Sequence, residues 1–136
     1  MAVIVKTGRT CKGRPVFQLT TPYGTYDVVF AVGTYRNGGS LAVMLYNIDY
    51  EEDPPRLEPY TRLTVNVDPY VETPRQDGTH AYLDYNNNPE AEDIVREAGI
   101  AKRAGVETPC GYCVYPLYEF DRETLEAVSL TIGKDI

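Results

Sequence analysis

Apolar and polar residues alternate with period two along most of this chain, and only one segment carries a helical spacing. The cleanest alternation runs from Tyr60 to Val67, with Leu63, Val65 and Val67 inward and Thr64, Asn66 and Asp68 outward. Pro69 ends it. Pro15 to Thr20 alternates in the same way, with Phe17 and Leu19 on one face. The fourteen residues before it join Val3-Ile4-Val5 to a basic, Gly-containing stretch, which predicts a short strand or a loosely held arm. Pro22-Tyr23-Gly24 signals a turn, and Thr25 to Tyr35 is β-rich. Arg36-Asn37-Gly38-Gly39 predicts a hairpin, because Asn and Gly both accept positive φ. The return strand, Leu41 to Tyr50, is apolar on both faces: Leu41, Val43 and Leu45 on one, Ala42, Met44, Tyr46 and Ile48 on the other. That is the pattern of a central strand. Glu51 to Pro55 is an acidic, Pro-rich loop, and Pro74 to Gly78 is another. His80 to Tyr85 predicts a short strand with Leu83 opposite Tyr82 and Asp84.

The helical spacing follows. Pro89 suits a first helical position and Asn88 a cap. Glu90, Glu92 and Asp93 sit in the first turn, where the helix dipole favours negative charge. Ala91, Ile94, Val95 and Ala98 form one apolar stripe, and Gly99 is a stop. So short a helix is unstable alone and must pack on something. Ile100 to Gly105 reads as a helix exit or second turn, and Val106 to Cys110 as loop. Gly111 to Phe120 reads as a strand that Pro116 confines to an edge or a bulge. Asp121 to Ile136 is ambiguous; Leu125, Val128, Leu130 and Ile132 suit a last strand or a docked helix. The predicted fold is α+β: a single domain over residues 1–136, mostly antiparallel sheet of five to seven strands, with one short helix packed on it. Residues 1–14 form a basic N-terminal arm in this reading.

Charge changes the picture by its unevenness. The net charge is −7. Residues 1–36 carry five basic side chains against one acid, +4, and residues 37–136 carry eight against nineteen, −11. An acidic body repels duplex nucleic acid, so no direct binding of that kind is expected. No run of about 18 apolar residues exists, so no membrane span is expected. Three cysteines and no long apolar leader fit a reducing, cytoplasmic setting. Tyrosine is abundant, twelve against three Phe and no Trp, which suits half-wet sheets and binding surfaces.

Candidate chemistry is sparse. Cys110-Gly111-Tyr112-Cys113 enters a strand rather than opening a helix, the wrong setting for a thioredoxin-type pair. A four-ligand zinc site would need Cys11, His80, Cys110 and Cys113, every Cys and His in the chain, and their spacing lends no support. No metal and no cofactor are therefore expected. His80 could act as a base oriented by Asp84 or Asp77, but a lone histidine opening a strand is far more often structural or solvated. No nucleophile elbow, phosphate-binding loop or zinc-protease motif is present. The expectation is a protein that is not an enzyme.

Asn86-Asn87-Asn88-Pro89, Gly99-Ile100-Ala101, Gly111-Tyr112 and Tyr115-Pro116-Leu117-Tyr118-Glu119-Phe120, with Leu63-Thr64-Val65-Asn66-Val67 upstream, carry a resemblance. Over roughly residues 23–120 the chain resembles an uncharacterised family of small proteins from gut Firmicutes and their phages and conjugative elements. That family commonly has Ser-Gly where this chain has Cys110-Gly111, which further weakens the zinc and redox readings. The resemblance implies no activity; it implies a mobile-element setting, in which small acidic proteins often act against host defence.

Two functions from different classes follow as expectations. The first is sequestration of a nucleotide-derived signalling molecule in a pocket built from Asn86, Asn87, Asn88, Tyr82, Tyr85, Tyr112, Tyr115 and Tyr118, with Arg9, Lys12, Arg14, Lys102 and Arg103 for phosphates. The three asparagines read more readily as a turn plus a cap. The second is an acidic protein-interaction module or inhibitor of a host defence protein. A homo-oligomer is expected in either case, since an edge strand and one short helix leave sheet surface to cover.

Overall fold

The computed structural model describes residues 2–35, 39–67 and 77–132. They form ten strands and two helices in two sheets, more elements than the alternation pattern predicts, with antiparallel pairing throughout except at one strand. The Asn37-Gly38 hairpin signal, Asp68, Pro69 and residues 74–76 and 133–136 lie outside the described residues.

The first sheet is a meander. Strand β1 (Val3–Cys11) pairs with β2 (Arg14–Thr21), so of the two readings of this segment, short strand or loose arm, the strand holds, and it is nine residues long. The two residues between them, Lys12 at φ 51 and Gly13 at φ 79, both take positive φ, as a type I′ hairpin turn requires. Strand β3 (Gly24–Thr34) pairs with β2 and with β4 (Leu41–Asp49). Leu41 through Leu45 are all buried, as expected of a central strand covered on both faces. Strand β5 (Arg56–Arg62) closes this sheet on the far side of β4.

The alternating run from Tyr60 to Val67 does not lie in one sheet. After Arg62 the chain passes through Leu63 into β6 (Thr64–Val65), which pairs with β7 (His80–Leu83) of the second sheet. Leu63 sits at the junction: its N–H donates to the Val43 carbonyl at 2.9 Å, and its carbonyl accepts from Asp84 N–H at 2.9 Å. Thr64, expected outside, is buried, and its hydroxyl meets the Tyr35 hydroxyl at 2.8 Å and accepts from Val43 N–H at 3.1 Å. The turn between sheets buries both faces at that position, so polarity no longer reports which side faces solvent.

The second sheet has the order β6-β7-β9-β8, with β8 (Ala101–Cys110) and β9 (Cys113–Phe120) forming a hairpin. Residues 101–110, expected as a helix exit and loop, are thus a strand. Its register breaks between Arg103 and Glu107, around Gly105 at φ 83. Pro116 is not on an edge: β9 lies between β7 and β8. It pairs with Glu107 beside this bulge and lies one residue beyond the last β7 partner, Leu117, so its missing N–H falls where the pairing is already irregular.

Helix α1 (Ala91–Glu97) starts two residues later than the Pro89 signal suggests. Its end follows the sequence closely. Ile100 N–H donates to the Val95 carbonyl and Gly99 N–H to that of Arg96, the paired bonds of a Schellman cap, with Gly99 at φ 72. The helix packs on β1 and β8, the outer strands of the two sheets, and so bridges the gap between them. The ambiguous C-terminal segment holds both predicted alternatives in turn. Helix α2 (Arg122–Val128) is capped by Asp121 and buries Leu125 and Val128. Strand β10 (Ser129–Thr131) then runs parallel to β3 along Phe30–Val32, next to the stretch that β2 occupies. Phe17, Phe30, Leu45, Leu63, Leu83, Ile94 and Leu125 belong to one core that both sheets and both helices share. Tyr82, Val67 and Leu117 form a smaller cluster on the other face of the second sheet. No helix among the described residues is long and apolar enough to cross a membrane.

Candidate functional site

The loop from Asp84 to Asn88 joins β7 to α1. Asn88 N–H donates to the Asp84 carbonyl at 2.9 Å, and Asn87 Nδ2 donates to the Asp84 carboxylate at 3.1 Å. Asn88 Oδ1 accepts from Glu90 N–H at 3.2 Å, and its Nδ2 donates to Thr61 Oγ1 at 3.3 Å. Asn87 and Asn88 thus hold the turn before the helix, but the expected cap at Asn88 is not made: the residue preceding α1 is Glu90, whose side chain makes no capping bond. Asn86 is exposed and reaches the Tyr115 side chain.

A cleft opens beside this loop. Tyr85, Glu92, Arg103, Glu107, Val114 and Pro116 line about 260 Å³ of it. A second hollow of about 290 Å³, lined by Gly105, Val106 and Leu117, shares Arg103, Glu107 and Pro116 with the first. Arg103 stands at the centre. Its Nη2 is 2.6 Å from Glu92 Oε1 and its Nη1 is 3.3 Å from Glu107 Oε1. The Tyr118 hydroxyl donates to the same Glu92 Oε1 at 2.8 Å.

Each contact follows from the backbone. Arg103 and Tyr118 are cross-strand partners, so their side chains share a face. Glu92 reaches them from α1, which lies over that face. Four residues of extended strand span about 13 Å. Arg103 and Glu107 nevertheless meet at 3.3 Å because the bulge around Gly105 shortens the path between them. The Tyr118 and Glu92 oxygens hold Arg103 above its ordinary pKa. Burial, then the Glu92 carboxylate, raises the Tyr118 hydroxyl. One cation between two carboxylates leaves the cleft net negative, next to exposed Tyr85 and Val114.

The expected pocket residues are only partly brought together. Tyr85, Tyr118 and Arg103 share this neighbourhood, whereas Tyr115, which Asn86 reaches, packs with the smaller cluster on the other face of the sheet. Tyr82 is not at the cleft either: it is fully buried, with its hydroxyl 2.7 Å from Thr108 Oγ1. Tyr112 projects fully exposed from the β8–β9 turn. Lys102 pairs with Glu119 at 3.5 Å, and it lines a different hollow of about 480 Å³ with Thr79, Gly99 and Asp121. Arg9, Lys12 and Arg14 lie on the β1–β2 hairpin of the other sheet. Arg9 holds Asp27 at 2.7 Å and donates to the Tyr50 hydroxyl, and Arg14 Nε donates to the Ser129 carbonyl. Glu92 and Glu107, central to the cleft, are absent from the expected set. Glu92 reads as an ordinary helix-start acid, and the eleven residues separating it from Arg103 follow no short-range rule.

His80 is held by Asp77, not Asp84. Its Nδ1 is 3.2 Å from Asp77 Oδ1 and 2.9 Å from Thr79 Oγ1, and its Nε2 is 3.5 Å from Glu119 Oε2. Burial pushes Asp77 up, but bonds from the Thr79 and His80 N–H groups and side chains outweigh it and bring the carboxyl to about 2. Among the described residues no three His, Cys, Asp or Glu side chains converge as a metal site, so Cys11, His80, Cys110 and Cys113 do not form one within a chain. Cys110 and Cys113 instead face each other across the β8–β9 turn, and both are free thiols.

Residues 29–130 match a family model described as Domain of unknown function (DUF4313). No curated protein and no solved structure matches the chain.

Proposed function

The chain belongs to the DUF4313 family, and from that premise we propose that it is a non-enzymatic binding protein whose working surface is the Arg103 cleft. Its partner is a cationic, Lys- or Arg-bearing segment of another protein. The observation that carries this reading is the charge arrangement: Glu92 and Glu107 share one guanidinium, beside exposed Tyr85 and Val114. An incoming cation can take over a carboxylate while its aliphatic stem lies on the aromatic and apolar wall. The −11 balance of residues 37–136 attracts such a partner at longer range. The phage or mobile-element setting, and a role against host defence, belong to this proposal and supply the first partners to try.

Sequestration of a nucleotide-like ligand is the second reading. Tyr85 at the cleft and Asn86 next to it in the loop favour it, since a base and ribose need an aromatic face and an amide. The phosphates fit less well, because Arg103 is already held by two carboxylates and the other expected cations lie elsewhere. The test is titration of the purified protein with Lys- and Arg-rich peptides, and separately with cyclic dinucleotides and ADP-ribose. Peptide affinity should fall with salt and drop roughly tenfold in a Glu92→Gln, Glu107→Gln double variant. Saturable nucleotide binding without peptide binding transfers the conclusion to the second reading.

A further inference from the structure

Strands β8 and β9 end in a two-residue turn, Gly111-Tyr112, with Gly111 at φ 64. Cys110 and Cys113 are the pair that closes it. Cross-strand partners project to one face, so the two thiols stand side by side at the end of the hairpin, each partly exposed. Two cysteines with two residues between them can supply half of a tetrathiolate zinc site, and that spacing is typical for the metal. Within the described residues nothing completes it. Cys11 ends β1 in the other sheet, and His80 is engaged by Asp77 and Glu119.

The surroundings favour a second copy as the source of the other two thiols. Residues 108–116 carry no charge, in a chain of net charge −7. Two hairpin ends can therefore meet where the acidic surfaces elsewhere would repel. Tyr112, in the turn between the two cysteines, is fully exposed, so the same end presents aromatic surface to cover. A two-fold axis through the metal gives each copy the same role, as an isologous contact requires.

We propose that Cys110 and Cys113 of two copies together bind one divalent zinc ion, so that metal and dimer form as a single event. Zinc binding displaces the thiol protons to solvent and leaves four Zn–S bonds, with no change of oxidation state. The site is independent of the Arg103 cleft and of the partner proposed there.

The test uses the whole protein, reduced and stripped with chelator, titrated with zinc and with cobalt(II) as a spectroscopic probe. The expected result is half an equivalent of metal per chain, the strong visible bands of tetrahedral cobalt thiolate, and a doubling of mass in light scattering. Cys110→Ser and Cys113→Ser should each abolish all three, and Cys11→Ser should leave them unchanged. Circular dichroism of the variants checks that they fold. One equivalent bound by a monomer, dimerisation indifferent to metal, no metal uptake, or a Cys110–Cys113 disulfide that persists under reductant would each overturn the proposal.

Discussion

Asp77 shows how one side chain can organise a corner of this molecule. Its Oδ1 accepts from the N–H groups of Thr79 and His80, both at 2.8 Å, and its backbone carbonyl accepts from Leu41 N–H at 2.9 Å. The folded-state pKa of about 2 lies below the ordinary carboxylate value. A depressed carboxyl stabilises the fold above its unfolded pKa and loses that contribution as pH falls through the folded value. Thermal unfolding should therefore drop in Tm between about pH 4 and pH 2, and Asp77→Asn should flatten that part of the profile. Thr64 is the buried counterpart. Replacing it with Val keeps the shape but strands the Tyr35 hydroxyl and the Val43 N–H, at a cost of at least about 2 kcal/mol in urea denaturation. Thr64 also shows where residue-level reading fails. A hydroxyl in an alternating strand reads as outward, and only the tertiary partners Tyr35 and Val43 reveal it as inward.

At the scale of elements, legibility followed the strength of the local rule. The β4 strand, the apolar stripe of α1 and its Gly99 stop could be read because each depends on neighbours a few residues away. Gly99 can be tested directly. It sits at φ 72 with open space where a Cβ would point, so Gly99→Ala should cost about 1 kcal/mol from backbone strain alone, with the denaturant slope unchanged. Strand β8 could not be read. Ala101 to Cys110 has no alternation, because a bulge resets its facing midway and charged residues stand on both faces, Lys102 on one and Arg103 and Glu107 on the other. The same bulge builds the cleft, so the candidate site was least visible where the strand was most irregular. Tyr82 misled for the opposite reason: tyrosine serves core and surface alike, and here its ring fills the smaller cluster while its hydroxyl finds Thr108.

Across the whole molecule, the two sheets share one core and are bridged by α1 between β1 and β8. They are also joined in the backbone, because the run from β5 through Leu63 to β6 belongs to both. Among the described residues, several cations are held by nearby carboxylates, as at Arg9, Arg56, Arg96, Arg103 and Arg122. Such exposed pairs contribute little stability. Raising salt should therefore leave Tm nearly unchanged while weakening partner binding, which separates the two roles of charge in one pair of experiments. The junction at Leu63 has a kinetic meaning as well. A sheet tethered to its neighbour by a common strand has no private way to open. The amides of Leu63 and Asp84, one bonded into each sheet, should exchange with solvent only when the entire molecule lets go, and so at matching rates once corrected for sequence. Two widely different protection factors there would mean that the protein breathes as two halves.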